Sequence, residues 1–371
     1  MKEKSRKMLR TNQTAQFVLA GVAIVVALTF AARKGGGTSG RVSAAEVPGV
    51  ESSLLKVDRL DPAADRIVPL DAVLERVATG FTWIEGPVWV HDSLMFAEIT
   101  SNSIRRWTPG TGVSIFLQPS GYQGKEPYGG PEPGSNGMTL DAQGRLTVAG
   151  HARRNVYRLE SLDPKEPITV LADSYKGKAL NSPNDVVYGP DGSLYFTDPP
   201  YGLRTQSNRD PDKEQTVNGV YRIPHALTHK AGAPPANDEV QLIISDIPRP
   251  NGIVFSPDGK YLYVDNTEPR KYWMRYTVQP DGTVTEPKLL YDASADRRRG
   301  VADGMRVDRE GNIYSAGPGG IWIFSPDGKP LATLLIPEQT SNVAWGGSDR
   351  KTLYITATSS IYRVRLEIDG H

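Results

Sequence analysis

The sequence predicts an all-β fold, a six-bladed β-propeller with an N-terminal hydrophobic leader. Three observations carry this: one polar-headed pattern recurs six times, strand–turn–strand rhythm follows it, and long helical periodicity is absent. The heads are Glu85 in Glu-Gly-Pro-Val-Trp, Asn136 in Asn-Gly-Met-Thr-Leu, Asn184 in Asn-Asp-Val-Val-Tyr, Asn251 in Asn-Gly-Ile-Val-Phe, Asp303 in Asp-Gly-Met-Arg-Val and Asn342 in Asn-Val-Ala-Trp-Gly. They stand 51, 48, 67, 52 and 39 residues apart. A repeat of roughly 40–50 residues built of strands and turns marks propeller blades, since a single blade cannot bury its own faces.

The chain opens differently. Lys2, Lys4, Arg6, Lys7 and Arg10 precede an apolar run from Phe17 to Ala32, broken only by Gly21 and Thr29. Its length lies between a signal-peptide core of about 7–15 residues and a membrane span of about 20. Residues 1–34 are therefore expected to be a signal peptide or a membrane anchor, with its start held in the cytoplasm by the positive charges. A tether through residues 17–32 would fix the folded part to the inner membrane; cleavage would release it. Either outcome predicts an extracytoplasmic protein, periplasmic or secreted. Gly35, Gly36, Gly37, Thr38, Ser39 and Gly40 begin a flexible stretch, so 35–73 reads as linker and extended N-terminal segment.

Residues 74–371 read as the propeller. The apolar–polar alternation of 74–81 is expected to close the ring beside the blade that ends at Leu366. After four heads a Gly-centred turn comes eight residues later, at Gly144, Gly192, Gly259 and Gly311. Second strands such as Leu194-Tyr-Phe-Thr and Tyr261-Leu-Tyr-Val follow, and Pro-Asp-Gly turns recur at 190–192, 257–259, 280–282 and 326–328. Two stretches, 118–135 and 201–218, exceed what a blade needs. Long loops at one mouth of a rigid scaffold shape access to it.

Composition excludes several chemistries. A net charge of +1 offers no basic stripe, so no nucleic-acid partner is expected. With no cysteine, thiol catalysis, thiolate-bound metals and disulfides are all absent. Five histidines without HExxH or a close pair argue against zinc. No G-x-S-x-G occurs, which disfavours a serine hydrolase.

The six heads carry the remaining chemistry. An isolated Asn-Gly most often caps a turn by bonding its own backbone. Six in register, one of them a glutamate, point instead to oxygen donors around a common axis. Oxygen-only donors suit a hard divalent cation, and Ca²⁺ tolerates the least regular geometry, ahead of Mg²⁺ and Mn²⁺, with Zn²⁺ last. Glu85 and Asp303, the two carboxylates among the heads, would balance its charge.

Several motifs resemble the gluconolactonase branch of the senescence-marker-protein/gluconolactonase/luciferin-regenerating family. They are Ile-Glu85-Gly-Pro-Val-Trp, Gly134-Ser-Asn-Gly-Met, Asn181-Ser-Pro-Asn-Asp, Tyr195-Phe-Thr-Asp-Pro-Pro-Tyr-Gly, Arg249-Pro-Asn-Gly-Ile, Ala302-Asp-Gly-Met and Gly317-Pro-Gly-Gly-Ile-Trp. The resemblance implies a six-bladed propeller with one catalytic divalent cation. It places Glu85, Asn184, Asn251 and Asp303 at the metal-ligand positions and gives Asp303 the acid/base role. It also implies that Asn136, His151 and Asn342 line the substrate pocket with Asn184. Two departures stand out: Ser182 occupies the place of an arginine in animal members, and Ala97-Glu98 follows where an aspartate is usual.

The expected function is hydrolysis of a sugar lactone such as glucono-1,5-lactone. The cation would polarise the carbonyl, and Asp303 would move the protons. Two alternatives share the site: hydrolysis of organophosphates or other esters, and ligand binding without turnover.

Overall fold

The structure, a computed structural model, describes residues 50–371. The expected leader and tether lie outside the described residues, and no helix among these is long and apolar enough to cross a membrane.

Alternating side chains and Gly-centred turns fold the described residues into six antiparallel blade sheets, each running from an innermost strand outward, and one two-stranded ribbon of Ser174–Tyr175 and Lys178–Ala179. Blade 1 comprises Ile84–Val90, Ser93–Glu98, Ser103–Thr108 and Gly112–Leu117. Blade 2 comprises Met138–Leu140, Leu146–Ala149, Val156–Leu159 and Ile168–Ala172, and blade 3 Val186–Tyr188, Leu194–Asp198, Gly219–Ile223 and Gln241–Ile244. Blade 4 follows with Pro250–Phe255, Tyr261–Asn266, Tyr272–Val278 and Val284–Asp292, then blade 5 with Met305–Val307, Ile313–Gly317, Gly320–Phe324 and Pro330–Leu335. Blade 6 takes Thr340–Gly346, Thr352–Ala357 and Ser360–Arg365 from the end of the chain and Val73–Thr79 from its beginning. Leu74 pairs with Val364 and Thr79 with Ser360, so the strand near 74–81 closes the ring.

The extended N-terminal segment before it pairs with the propeller. Glu51–Leu54 adds a fifth strand to blade 6, and Lys56–Arg59 a fifth strand to blade 5. A 3₁₀ turn at Pro62–Arg66 follows, with the Asp61 side chain accepting from the Ala63 N–H. Leu55, Ala64, Ile67, Val68 and Ala72 are buried in the core shared by blades 5 and 6. The two strands themselves are edge strands and largely exposed, so the sequence shows no alternation there. The segment is a clasp across the ring closure.

Buried apolar residues sort into six clusters, one between each pair of neighbouring blades. Between blades 1 and 2, for example, Val90, Met95 and Ile104 pack on Met138, Leu146 and Val148. Stability is thus divided over nearest-neighbour interfaces, and the centre is left to polar groups.

The heads begin the innermost strands where regular pairing fails. In blades 1, 4 and 6 the ladder slips beside Glu85, Asn251 and Asn342; in blades 2, 3 and 5 the head precedes the first paired residue. A side chain released from the pleat in this way can turn toward the axis. The glycine after four of the heads serves close approach, not a turn. A Cβ on Gly86 would lie 2.2 Å from the Asn136 carbonyl oxygen, and one on Gly252 would lie 2.4 Å from that of Asp303. On Gly137 it would meet the Asn184 carbonyl at 2.6 Å, and on Gly304 the Asn342 amide carbon at 1.9 Å. Each glycine lets the next head crowd against its own. The N–H groups of Gly137 and Gly304 bond across to Asn184 (2.7 Å) and Ser341 (2.8 Å), which ties neighbouring inner strands together.

Candidate active site

All six heads are 2–5 % exposed. Glu85, Asn136, Asn184, Asn251 and Asp303 line one cavity of about 140 Å³, together with Trp83, Glu132, Tyr201, Thr267, Val301 and Gln339. Asn342 and His151 are not in that lining. Asn342 stands behind Glu85 and donates its amide N–H to Glu85 Oε2 at 3.2 Å. His151 stands behind Glu132, with Nε2 2.8 Å from Glu132 Oε2.

The hydrogen bonds around the ring leave oxygen facing inward. Glu85 Oε2 accepts from the Gly86 N–H (2.8 Å) and from Asn342, so Oε1 is free. Asn251 donates its amide N–H to Thr267 Oγ1 (3.0 Å), which in turn donates to the Ala302 carbonyl (2.9 Å). That pair fixes the amide and turns its oxygen the other way. Asp303 Oδ1 accepts weakly from Gly304 N–H at 3.2 Å. The side-chain amides of Asn136 and Asn184 have no hydrogen-bond partner among the described residues, while their backbones are held by Ala149 and Thr197.

The site is short of positive charge. Burial pushes the Glu85 carboxyl up to about 8, with nearby Asp185 adding to the shift against the pull of the Gly86 N–H. Burial, then the charges of Glu85 and Asp265, holds Asp303 well above the ordinary carboxylate range. Burial also raises Asp265 and Asp185. Asp265 Oδ2 is buried without a partner, and Asp185 Oδ2 has only Arg306, 3.7 Å away. Arg306 bonds the Met305 and Met138 carbonyls and faces the opposite mouth of the channel, a cavity of about 460 Å³. No lysine or arginine lines the ring cavity itself.

Crowded buried carboxylates either keep protons or take up a cation. Among the described residues no three acidic or histidine groups gather at one point. Two carboxylates and two carboxamides nevertheless share the cavity wall, a donor set that fits a hard ion such as Ca²⁺. Glu85, Asn184, Asn251 and Asp303 fit that role.

The two departures now have structural explanations. Ser182 Oγ donates to the Pro199 carbonyl (2.5 Å) and accepts from Gly202 N–H (2.9 Å), so it braces the loop before Asn184. Asp198 supports the same segment by accepting from the Asn181 and Ser182 N–H groups. Glu98 pairs with Arg105 (2.5 Å) and accepts from Ser101 (2.8 Å), outside the cavity. Sequence reasoning missed Glu132, Asp185, Asp265 and Thr267. Of these, Asp185 was adjacent to a head, and Glu132 lay in a loop already expected to shape access. Asp265 and Thr267 carried no signal, because second strands were read only for their apolar positions.

Fold and cavity together define a β-propeller with an axial, oxygen-lined pocket suited to a hard divalent cation. The chain belongs to the SMP-30/gluconolactonase/LRE-like family, whose pattern matches residues 83–359. It is 36% identical over 329 residues to a gluconolactonase of Zymomonas mobilis, covering 86% of this chain and 88% of that one. The solved structure of a gluconolactonase from Xanthomonas campestris superimposes with a TM-score of 0.68 at 27% identity, over 84% of this chain and 94% of the other. A calcium-binding regucalcin of Agrobacterium tumefaciens shares the fold, with a TM-score of 0.60 at 18% identity over 79% and 93% of the two chains.

Proposed function

We propose that this protein is a lactonase, a carboxylic ester hydrolase that opens a sugar lactone such as glucono-1,5-lactone with a divalent cation, Ca²⁺ foremost. The observation that carries the reading is the convergence of Glu85, Asn136, Asn184, Asn251 and Asp303 on one small cavity with no basic residue in its wall. The gluconolactonases to which the chain is similar over most of its length support the substrate class. The oxygen donors of the cavity support the metal.

When bound by Glu85, Asn184, Asn251 and Asp303, the cation supplies Lewis-acid polarisation of the lactone carbonyl. The protein does the rest. The side chains of Asn136 and Gln339, with the Tyr201 hydroxyl, offer polar contacts to the sugar's own hydroxyls. Trp83 and Val301 give the cavity wall its apolar surface. Asp303, in the wall of the same cavity, is placed to take a proton from the attacking water.

Turnover of glucono-1,5-lactone, a phosphotriester and a simple aryl ester, with and without EDTA, tests this. The expected result is preferred lactone turnover, lost by at least about 100-fold on chelation and restored by Ca²⁺, Mg²⁺ or Mn²⁺. Full activity in EDTA would remove the metal. Phosphotriester preference would change the substrate class, and no turnover of any of the three would leave only a binding protein.

A further inference from the structure

The long loop at 118–135 brings a carboxylate to the cavity that the ring does not account for. Glu132 lines the cavity beside Glu85, and its Oε2 lies 2.8 Å from Nε2 of the fully buried His151. The other ring nitrogen, Nδ1, faces the Pro183 carbonyl at 3.2 Å. A carbonyl oxygen only accepts, so Nδ1 carries a hydrogen. One further proton then lies between Nε2 and Oε2, whichever atom formally holds it. The pair is a proton store that opens on the cavity through Glu132.

Its placement is over-determined. His151 has φ +34°, a conformation that side chains other than glycine seldom adopt, and it starts a tight turn that ends at Arg154 with φ +60°. Gly202 presses against the imidazole so closely that a Cβ there would lie 2.7 Å from Cδ2. Tyr128, on the same loop as Glu132, donates its hydroxyl to the Gly202 carbonyl. Three loops therefore hold one imidazole and one carboxylate in register. A solvated ion pair needs none of this.

We infer that Glu132 is the acid that protonates the leaving ring oxygen, and that His151 is the positioning residue that holds its proton. This rests on the lactonase reading. Water adds through its oxygen to the carbonyl carbon, and one of its protons passes to Asp303. The ring C–O bond then breaks, its electron pair stays on the ring oxygen, and that oxygen takes the proton held between Glu132 and His151. The product is the open hydroxy acid, and the proton on Asp303 returns through solvent to recharge the pair. Asp303 thus serves the water and Glu132 the leaving group, so no single buried carboxylate has to do both.

The test compares two lactones on Glu132→Gln. Glucono-1,5-lactone leaves as a basic alkoxide, whereas 3,4-dihydrocoumarin leaves as a stabilised phenolate that needs little protonation. With thermal stability retained, kcat on the sugar lactone is expected to fall about 100-fold and on the aryl lactone by at most about fivefold. His151→Asn, which keeps a donor for Pro183, is expected to show the same bias at about tenfold. Equal losses on both lactones, or none on either, would overturn the role. A wild-type protein inactive on both would instead sink the lactonase reading, and this inference with it. Imidazole ¹⁵N resonances give a readout that needs no turnover. Glu132→Gln should move the His151 Nε2 signal and leave Nδ1 proton-bearing; an unmoved Nε2 would refute the shared proton.

Discussion

Asp303→Asn is expected to lower turnover of glucono-1,5-lactone by about 1,000-fold while the protein stays folded. Asparagine keeps the shape and one oxygen donor at this position but has no basic oxygen to receive a proton. General acid–base groups commonly contribute about 10²–10⁴. The loss should fall on kcat, since the remaining cavity wall is untouched and KM should move little. Stability should hold or rise in the cation-free protein. Asp303 is buried among Glu85, Asp265 and Asp185, and removing one ionisable group relieves that crowding. Steady-state kinetics and thermal unfolding on the same preparation check both parts. Turnover within threefold of wild type would take Asp303 out of the mechanism.

The second large effect is on stability as a function of pH. In the chelated protein, burial raises Glu85 to about 8 and Asp303 well above its ordinary value. Asp185 and Asp265 shift the same way. A carboxyl whose value is higher folded than unfolded binds its proton more tightly in the native state. Its contribution is complete below the unfolded value near 4 and is lost as pH rises through the folded one. The melting temperature of the chelated protein should therefore fall between about pH 5 and pH 8. A cation prefers the ionised ring, so its stabilising effect should grow over the same interval. Asp198, raised by burial to about 7, lies outside the ring and adds a decline that the cation does not reverse. Calorimetry with and without Ca²⁺ at several pH values measures this. A flat chelated profile, or a cation effect that shrinks toward pH 8, would contradict it.

The sequence displayed the fold through repetition. Six heads at near-regular spacing, with turn glycines at a fixed offset, expose blade number and strand direction directly. Ring closure by 74–81 was legible for the same reason, because a strand without a blade of its own had to pair with the last one. The clasp at Glu51–Leu54 and Lys56–Arg59 was not. Edge strands bury one side weakly, and the apolar residues that anchor the clasp lie between the strands, where no period connects them.

The ring residues were visible because each begins a repeat. Their supports were hidden, since what selects Thr267 is a hydrogen bond from Asn251 in another strand. His151 shows the same limit. It was visible as a pocket residue by resemblance, yet the group that reaches the cavity is Glu132, nineteen residues earlier. The glycines after the heads are clearances between inner strands, which no pattern within one repeat reports. Local pattern reports periodicity well and reports crowding from other blades hardly at all.

Anomalous diffraction from crystals soaked in Mn²⁺ tests the central claim most directly. One peak is expected on the propeller axis, within about 2.0–2.6 Å of oxygens from Glu85, Asn184, Asn251 and Asp303 together. A peak at the opposite mouth near Arg306, or none on the axis at saturating metal, would contradict it.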